Sequence, residues 1–154
     1  MSKTERTHSK RIVNSKARFN YVFLERLEVG IALLGTEVKS LRAGQASLDE
    51  AFARIDRGEA YLYGCHIKPY EKGNQNNHEP LRPRKLLLHR REILRLASTV
   101  AQRGLTLVPL RIYFNKRGLA KVELALVKGK THRDKREDVK KRDHQREMAR
   151  AMGR

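Results

Sequence analysis

The sequence lacks most of what announces an enzyme, a secreted protein or a membrane protein. Its one cysteine, Cys65, rules out an intrachain disulfide, and a reducing compartment, the cytoplasm, is expected. No apolar run approaches the roughly 20 residues that span a bilayer. The first residues are charged without the apolar stretch of a secretory signal, so neither leader nor anchor is expected. Tryptophan is absent, and no basic amphipathic helix carries Phe on its other face to seat it on lipid. Catalytic groupings are missing too. Cys65 and His66 fall on an expected strand, where successive side chains face opposite ways and cannot share a metal. His78-Glu79 lies in a polar stretch where a solvated loop accounts for it. No Gly-rich loop ends in Lys-Ser or Lys-Thr, so nucleotide hydrolysis has no support. No catalytic residue, metal site or cofactor is expected.

Negative charge is also scarce. Against 17 Asp and Glu stand 35 Lys and Arg, a net +18 over 154 residues. That excess repels itself unless a polyanion neutralises it, so nucleic acid is the expected partner and no membrane is. The length suits one domain with a self-sufficient core. Charge divides the chain into three. Residues 1–18 hold six basic side chains and one acidic, residues 19–127 hold 18 and 11, and residues 128–154 hold 11 and five. Two basic arms, residues 1–12 and 128–154, are therefore expected to flank a folded centre, residues 13–127, that holds nearly all the large apolar residues.

The centre reads mainly as strands, because its apolar residues recur every second position. Phe19, Tyr21 and Phe23 alternate with polar or smaller residues, Val29-Gly30 is expected to turn the chain, and Ile31 to Leu34 to return it as a hairpin. Glu37 to Arg42 suits a short helix, with the Thr36 hydroxyl as a cap and Gly44 as its stop. Phe52–Ile55 and Tyr61–Ile67 flank Asp56-Arg57-Gly58 as a second hairpin, and Pro69–Pro83 reads as a long exposed loop. The clearest helix runs from about His89 to Arg103, with Ile93, Leu96, Ala97 and Val100 on a core-facing stripe and Gly104 as its stop. Val108, Leu110, Ile112 and Phe114 are expected on one face of a strand, which Pro109 marks as an edge or a bulge, and Val122, Leu124 and Leu126 return beside it. This is a mainly β class: a small closed or nearly closed antiparallel barrel with a few packed helices, an open α+β sandwich being the alternative.

Candidate RNA contacts cluster around these elements. Asn14, Lys16 and Arg18 precede the first strand, Lys39 and Arg42 share one side of the short helix, and Arg82, Arg84 and Lys85 lead into the Leu86–Leu88 triplet. Arg90 and Arg91 stand in the first turn of the main helix, where the macrodipole disfavours positive charge. Tyr21, Tyr61, Tyr63 and His89 are candidate stacking partners. In the tail, Val139, Met148, Ala149 and Met152 make no helical stripe, so no apolar face docks it. Charge pairs such as Glu137 with Lys141 favour helix by roughly 0.2–0.5 kcal/mol each, and the segment is expected to order as helix on an anionic groove. Composition alone fits a structural ribosomal protein equally well.

Four motifs together resemble the SmpB family, the SsrA-binding proteins of bacteria: Gly35-Thr36-Glu37-Val38-Lys39-Ser40-Leu41-Arg42-Ala43-Gly44, Arg84-Lys85-Leu86-Leu87-Leu88-His89, Gly104-Leu105-Thr106-Leu107-Val108-Pro109-Leu110, and Lys128-Gly129-Lys130 followed by Asp134-Lys135-Arg136. The resemblance runs from about residue 12 to the C-terminus. It implies an oligonucleotide-binding-type (OB) barrel, monomeric in its RNA complex. It also implies a function: binding transfer-messenger RNA and delivering it to ribosomes stalled on messages without a stop codon, with the protein standing in for the anticodon arm of a transfer RNA. The nascent chain is then tagged for degradation.

By motif, Asn14, Glu28, Lys39, Arg42, Lys85, Leu87 and His89 would meet the tRNA-like domain of that RNA. Gly129 would be the hinge, and Lys130, Asp134, Lys135, Arg136 and Lys140 would enter the decoding region of the small-subunit ribosomal RNA and the vacant message channel. Where the family often has an aromatic residue or His before Asp-Lys-Arg, this chain has Arg133, with His132 one place earlier. A guanidinium also stacks on bases, so the contact is expected to persist in altered form.

Overall fold

The computed structural model describes residues 10–130 and 132–153. Most of the expected N-terminal arm, residues 1–9, lies outside them, as do the side chains of Arg133 and Asp134. Among the described residues, nine strands and four α-helices run in the order β1 (Ile12–Val13), α1 (Ala17–Asn20), β2 (Tyr21–Ile31), α2 (Gly35–Arg42), β3 (Ala46–Ser47), β4 (Phe52–Asp56), β5 (Glu59–Tyr63), β6 (His66–Ile67), β7 (Arg84–Leu87), α3 (Arg90–Arg103), β8 (Thr106–Phe114), β9 (Ala120–Gly129) and α4 (His132–Met152). The main sheet is ordered β1-β8-β4-β5-β7-β2-β9, and β8 also pairs with β9, which closes it into an antiparallel barrel. Alternation fills the barrel: Val29, Ile31, Leu62, Leu86, Ile112, Val122 and Leu124 point inward and are buried. The stripe of α3 covers the core through Ile93 and Leu96, and Gly104 ends that helix at φ 62.

Several expectations are corrected. Val29-Gly30 is no turn, since β2 runs unbroken to Ile31 and Gly30 pairs with both Leu87 and Lys121. Gly30 is there for close approach: a Cβ would stand 3.2 Å from that of Leu87. Pro109 forms a bulge, with the register shifting between Pro109 and Arg111. The extra residue splits the expected face, so Val108 and Leu110 join Tyr21 and Phe23 in a second small cluster, while Ile112 and Phe114 serve the main core. Asn14 exploits the bulge, with its N–H donating to the Leu110 carbonyl at 2.8 Å and its Nδ2 to the Pro109 carbonyl at 3.0 Å.

Arg84 is the largest correction. Expected on an RNA surface, it is fully buried. Its Nε donates to Glu37 Oε2 at 2.5 Å, Nη1 to the Cys65 carbonyl at 2.6 Å, and Nη2 to the Pro80 carbonyl at 3.1 Å. Glu37, equally buried, accepts from Arg82 at 2.5 Å and from the Leu34 N–H at 2.8 Å, so Glu37 rather than Thr36 closes the start of α2. Burial alone would raise the Glu37 pKa, but the Arg82 hydrogen bond, the Leu34 amide and Arg84 outweigh it and hold the carboxyl below its ordinary value. Thr36 instead bonds His78 Nδ1 at 2.8 Å, and His78 Nε2 donates to the Ile67 carbonyl at 2.8 Å. His78 is therefore buried, and the polar loop carries a 3₁₀ turn, Glu71–Asn76.

Candidate nucleic-acid interface

With Val29, Ile31, Leu86, Ile112 and Val122 turned inward, their strand neighbours must face out. Register aligns these neighbours across four strands: Tyr113 stands opposite Lys121, Lys121 opposite Gly30, and Gly30 opposite Leu87. Beside this row, Arg111 pairs with Glu123 and Glu123 with Glu28. Next to Leu87, Lys85 faces Tyr61. One outer face thus joins Glu28, Lys85 and Leu87, which are far apart in sequence, and His89 stands exposed at the end of the same segment as the N-cap of α3. Leu87 is 53% exposed over Gly30.

Charges on this face are unevenly satisfied. Glu28 directly opposite Glu123 is a repulsive cross-strand pair. Glu123 is neutralised by Arg111 at 2.5 Å and Arg26 at 3.7 Å. Glu28 receives the Tyr113 hydroxyl, and among the described residues it is an exposed carboxylate that makes no ion pair. Lys85 Nζ reaches Glu59 at 3.0 Å, and the Tyr61 hydroxyl donates to the same carboxylate at 2.7 Å. The Tyr61 hydrogen bond and then Lys85 hold Glu59 below the ordinary carboxyl range, and the same hydrogen bond raises the Tyr61 phenol. At ~44–47% exposure the Lys85–Glu59 pair contributes little to stability and is free to exchange partners.

Asn14 is almost entirely buried, and its Oδ1 has no hydrogen-bond partner among the described residues. It lines a cavity of about 350 Å³ with Arg18, Arg26 and Arg111, at the margin of the same face. Lys16 and Arg18 are exposed. Lys39 and Arg42 are exposed too: Lys39 lies 5.3 Å from the Tyr70 ring centroid, and Arg42 lies 4.3 Å from that of Phe114. Sequence reading missed Arg26, Arg111 and Tyr113. Alternation around Ile112 marks the last two, but only once the bulge at Pro109 is placed.

The tail leaves the sheet later than expected. Gly129 still pairs with Tyr21 and is the last residue of β9, and the Lys130 N–H donates to the Asn20 carbonyl at 3.0 Å. Lys130 Nζ donates to the Arg18 carbonyl at 2.6 Å and pairs with Asp138. Without an apolar stripe, α4 is held by cations: Lys135 and Arg142 lie 5.6 and 5.1 Å from the Phe19 ring centroid. Arg136 and Lys140 are exposed.

The family model described as SmpB protein matches residues 11–154. The chain belongs to the SmpB family. An SsrA-binding protein of Moorella thermoacetica is 60% identical over 139 residues, 90% of this chain and 90% of that protein. One of Desulforamulus reducens is 58% identical over 139 residues, 90% of this chain and 86% of that one. A solved structure described as "tmRNA-SmpB: a journey to the center of the bacterial ribosome" is 54% identical, with a TM-score of 0.67 over 84% of this chain and 94% of its own. Among the described residues there is no group of three or more potential metal ligands, and no helix is long and apolar enough to cross a membrane.

Proposed function

We propose that this protein binds SsrA, the transfer-messenger RNA, through the outer face of its barrel and brings it to stalled ribosomes, so that the nascent peptide is tagged for degradation. The observation that carries the reading is Glu28. An exposed carboxylate that makes no ion pair among the described residues, in a chain of net +18, is placed against the general electrostatics of RNA binding. It suits a specific contact instead, accepting from a base amino group or a ribose hydroxyl. Leu87 offers an apolar surface to an unstacked base, Lys85 a mobile cation to phosphate, and His89 an exposed ring. Asn14 and Arg18 extend the face, with Lys16, Lys39 and Arg42 adding charge around it.

The protein acts by binding and carries no chemistry of its own. Its one thiol, Cys65, is pushed up to about 11 by burial, which keeps it protonated and unreactive at neutral pH. The place of action is the cytoplasm, on the ribosome. There α4 exchanges its contacts with Phe19 for the decoding region, led by Lys130, Arg133, Asp134, Lys135, Arg136 and Lys140.

Glu28→Ala and Lys85→Ala are each expected to raise the dissociation constant for an SsrA RNA transcript by about tenfold at fixed salt. Melting temperatures should be nearly unchanged, since both side chains are exposed. Lys85→Ala should also reduce the slope of log K against log salt by about 0.7–0.9, whereas Glu28→Ala should leave it intact. Wild-type affinity in both variants would rule out this face.

A further inference from the structure

Next to the row of Glu28 and Leu87, a groove of about 540 Å³ opens between the β4–β5 turn, the outer side of β7 and the start of α3. Leu87 and Leu94, 53% and 59% exposed, supply apolar surface within it. Arg57, Lys85 and Arg90 supply its positive charge. Glu59 is the acid that lines it, already engaged by Lys85 and Tyr61.

Arg57 and Arg90 both occupy positions that oppose folding. Asp56 pairs with Glu59, leaving Arg57-Gly58 as a two-residue hairpin turn. Such turns favour Asn or Gly where the backbone is left-handed. Arg57 sits there at φ 51, the one non-glycine residue with positive φ among those described. Arg90 stands in the first turn of α3, where the helix dipole disfavours a cation; Glu92 in the same turn complements the dipole but makes no ion pair with Arg90. Neither arginine has an acidic partner among the described residues. Two unpaired guanidinium groups, each disfavoured where it stands, open onto one groove with exposed leucines inside it.

We infer that this groove is a nucleotide subsite: an unstacked base of the bound RNA lies against Leu87 and Leu94, while Arg57 and Arg90 hold its phosphate. A base offers an apolar face and its phosphate an anion, the two chemistries the groove presents, and guanidinium forks match phosphate oxygens. The subsite rests on the reading of the barrel's outer face as the RNA interface, and Leu87 is shared between them.

Arg57→Gly separates binding from folding, because glycine relieves the positive φ. The variant should melt at or above the wild-type temperature yet bind SsrA transcript about tenfold more weakly. Its salt slope should fall by about 0.7–0.9, one phosphate contact, and Arg90→Gln should behave likewise in binding. In Leu94→Cys, a photo-crosslinker on the new thiol should join the transcript, since buried Cys65 contributes little background. Wild-type affinity and slope in Arg57→Gly and Arg90→Gln, with Glu28→Ala still impaired, would overturn the subsite and leave the interface standing. If Glu28→Ala is also without effect, both fail. Crosslinks to an acidic peptide competitor but not to the transcript would assign the groove to protein instead.

Discussion

A chain ended after Lys130 is expected to bind SsrA RNA nearly as tightly as the full protein and to support no peptide tagging on stalled ribosomes. The cut follows the hydrogen bonds. Val127 is buried and β9 continues to Gly129, so ending at Val127 would strip backbone partners from Tyr21 and Val22. Beyond Lys130 the chain is tied to the barrel, among the described residues, by the Lys130–Asp138 ion pair and by Lys135 and Arg142 against Phe19, cation–π contacts worth about 0.5–1 kcal/mol each at exposed sites. On the proposed reading, these few contacts are exchanged for ribosomal RNA. A reconstituted translation reaction on a message without a stop codon, run beside an RNA-binding titration, checks both halves. Full tagging by the shortened protein would remove the tail from the mechanism.

Replacing Glu37 with Gln is expected to destabilise the protein by about 3–5 kcal/mol, because it leaves the buried Arg84 guanidinium without its counter-charge. At the scale of a domain this size, that lowers the Tm by about 10–20 °C. Both partners are 0% exposed, so water cannot take the place of the lost carboxylate. The same pair contributes to acid sensitivity. Because the Glu37 carboxyl is held below its ordinary value in the folded protein, its contribution is fully present above the unfolded pKa of about 4.3 and is lost as pH falls through the lower folded value. In Glu37→Gln that part of the acid transition should vanish, as pH-dependent melting can show. RNA affinity measured well below the variant's Tm should stay close to wild type, which separates Glu37 from the interface.

Periodicity made the barrel legible, and local chemistry hid its irregularities. Inward residues such as Val122, Leu124 and Leu126 follow from alternation, and α3 from its stripe and its Gly104 stop. Gly30 misled because glycine serves turns and close approaches alike, and only the position of Leu87 on another strand distinguishes them. Arg84 misled for a related reason: a guanidinium in a basic run reads as surface until a buried carboxylate 47 positions away claims it. The proposed face through Glu28, Lys85 and Leu87 rests on family resemblance and on strand register, since no local pattern sets a single Glu on a strand apart. Arg57 was passed over as part of a turn, because its backbone conformation is not written in the residue type.

The most direct test is to sequence the RNA that co-purifies with the protein from cells, wild type beside Glu28→Ala. SsrA RNA should dominate the wild-type sample and fall sharply in the variant. Ribosomal RNA in stoichiometric amount, or a broad mixture equal in both samples, would contradict specific recognition through this face.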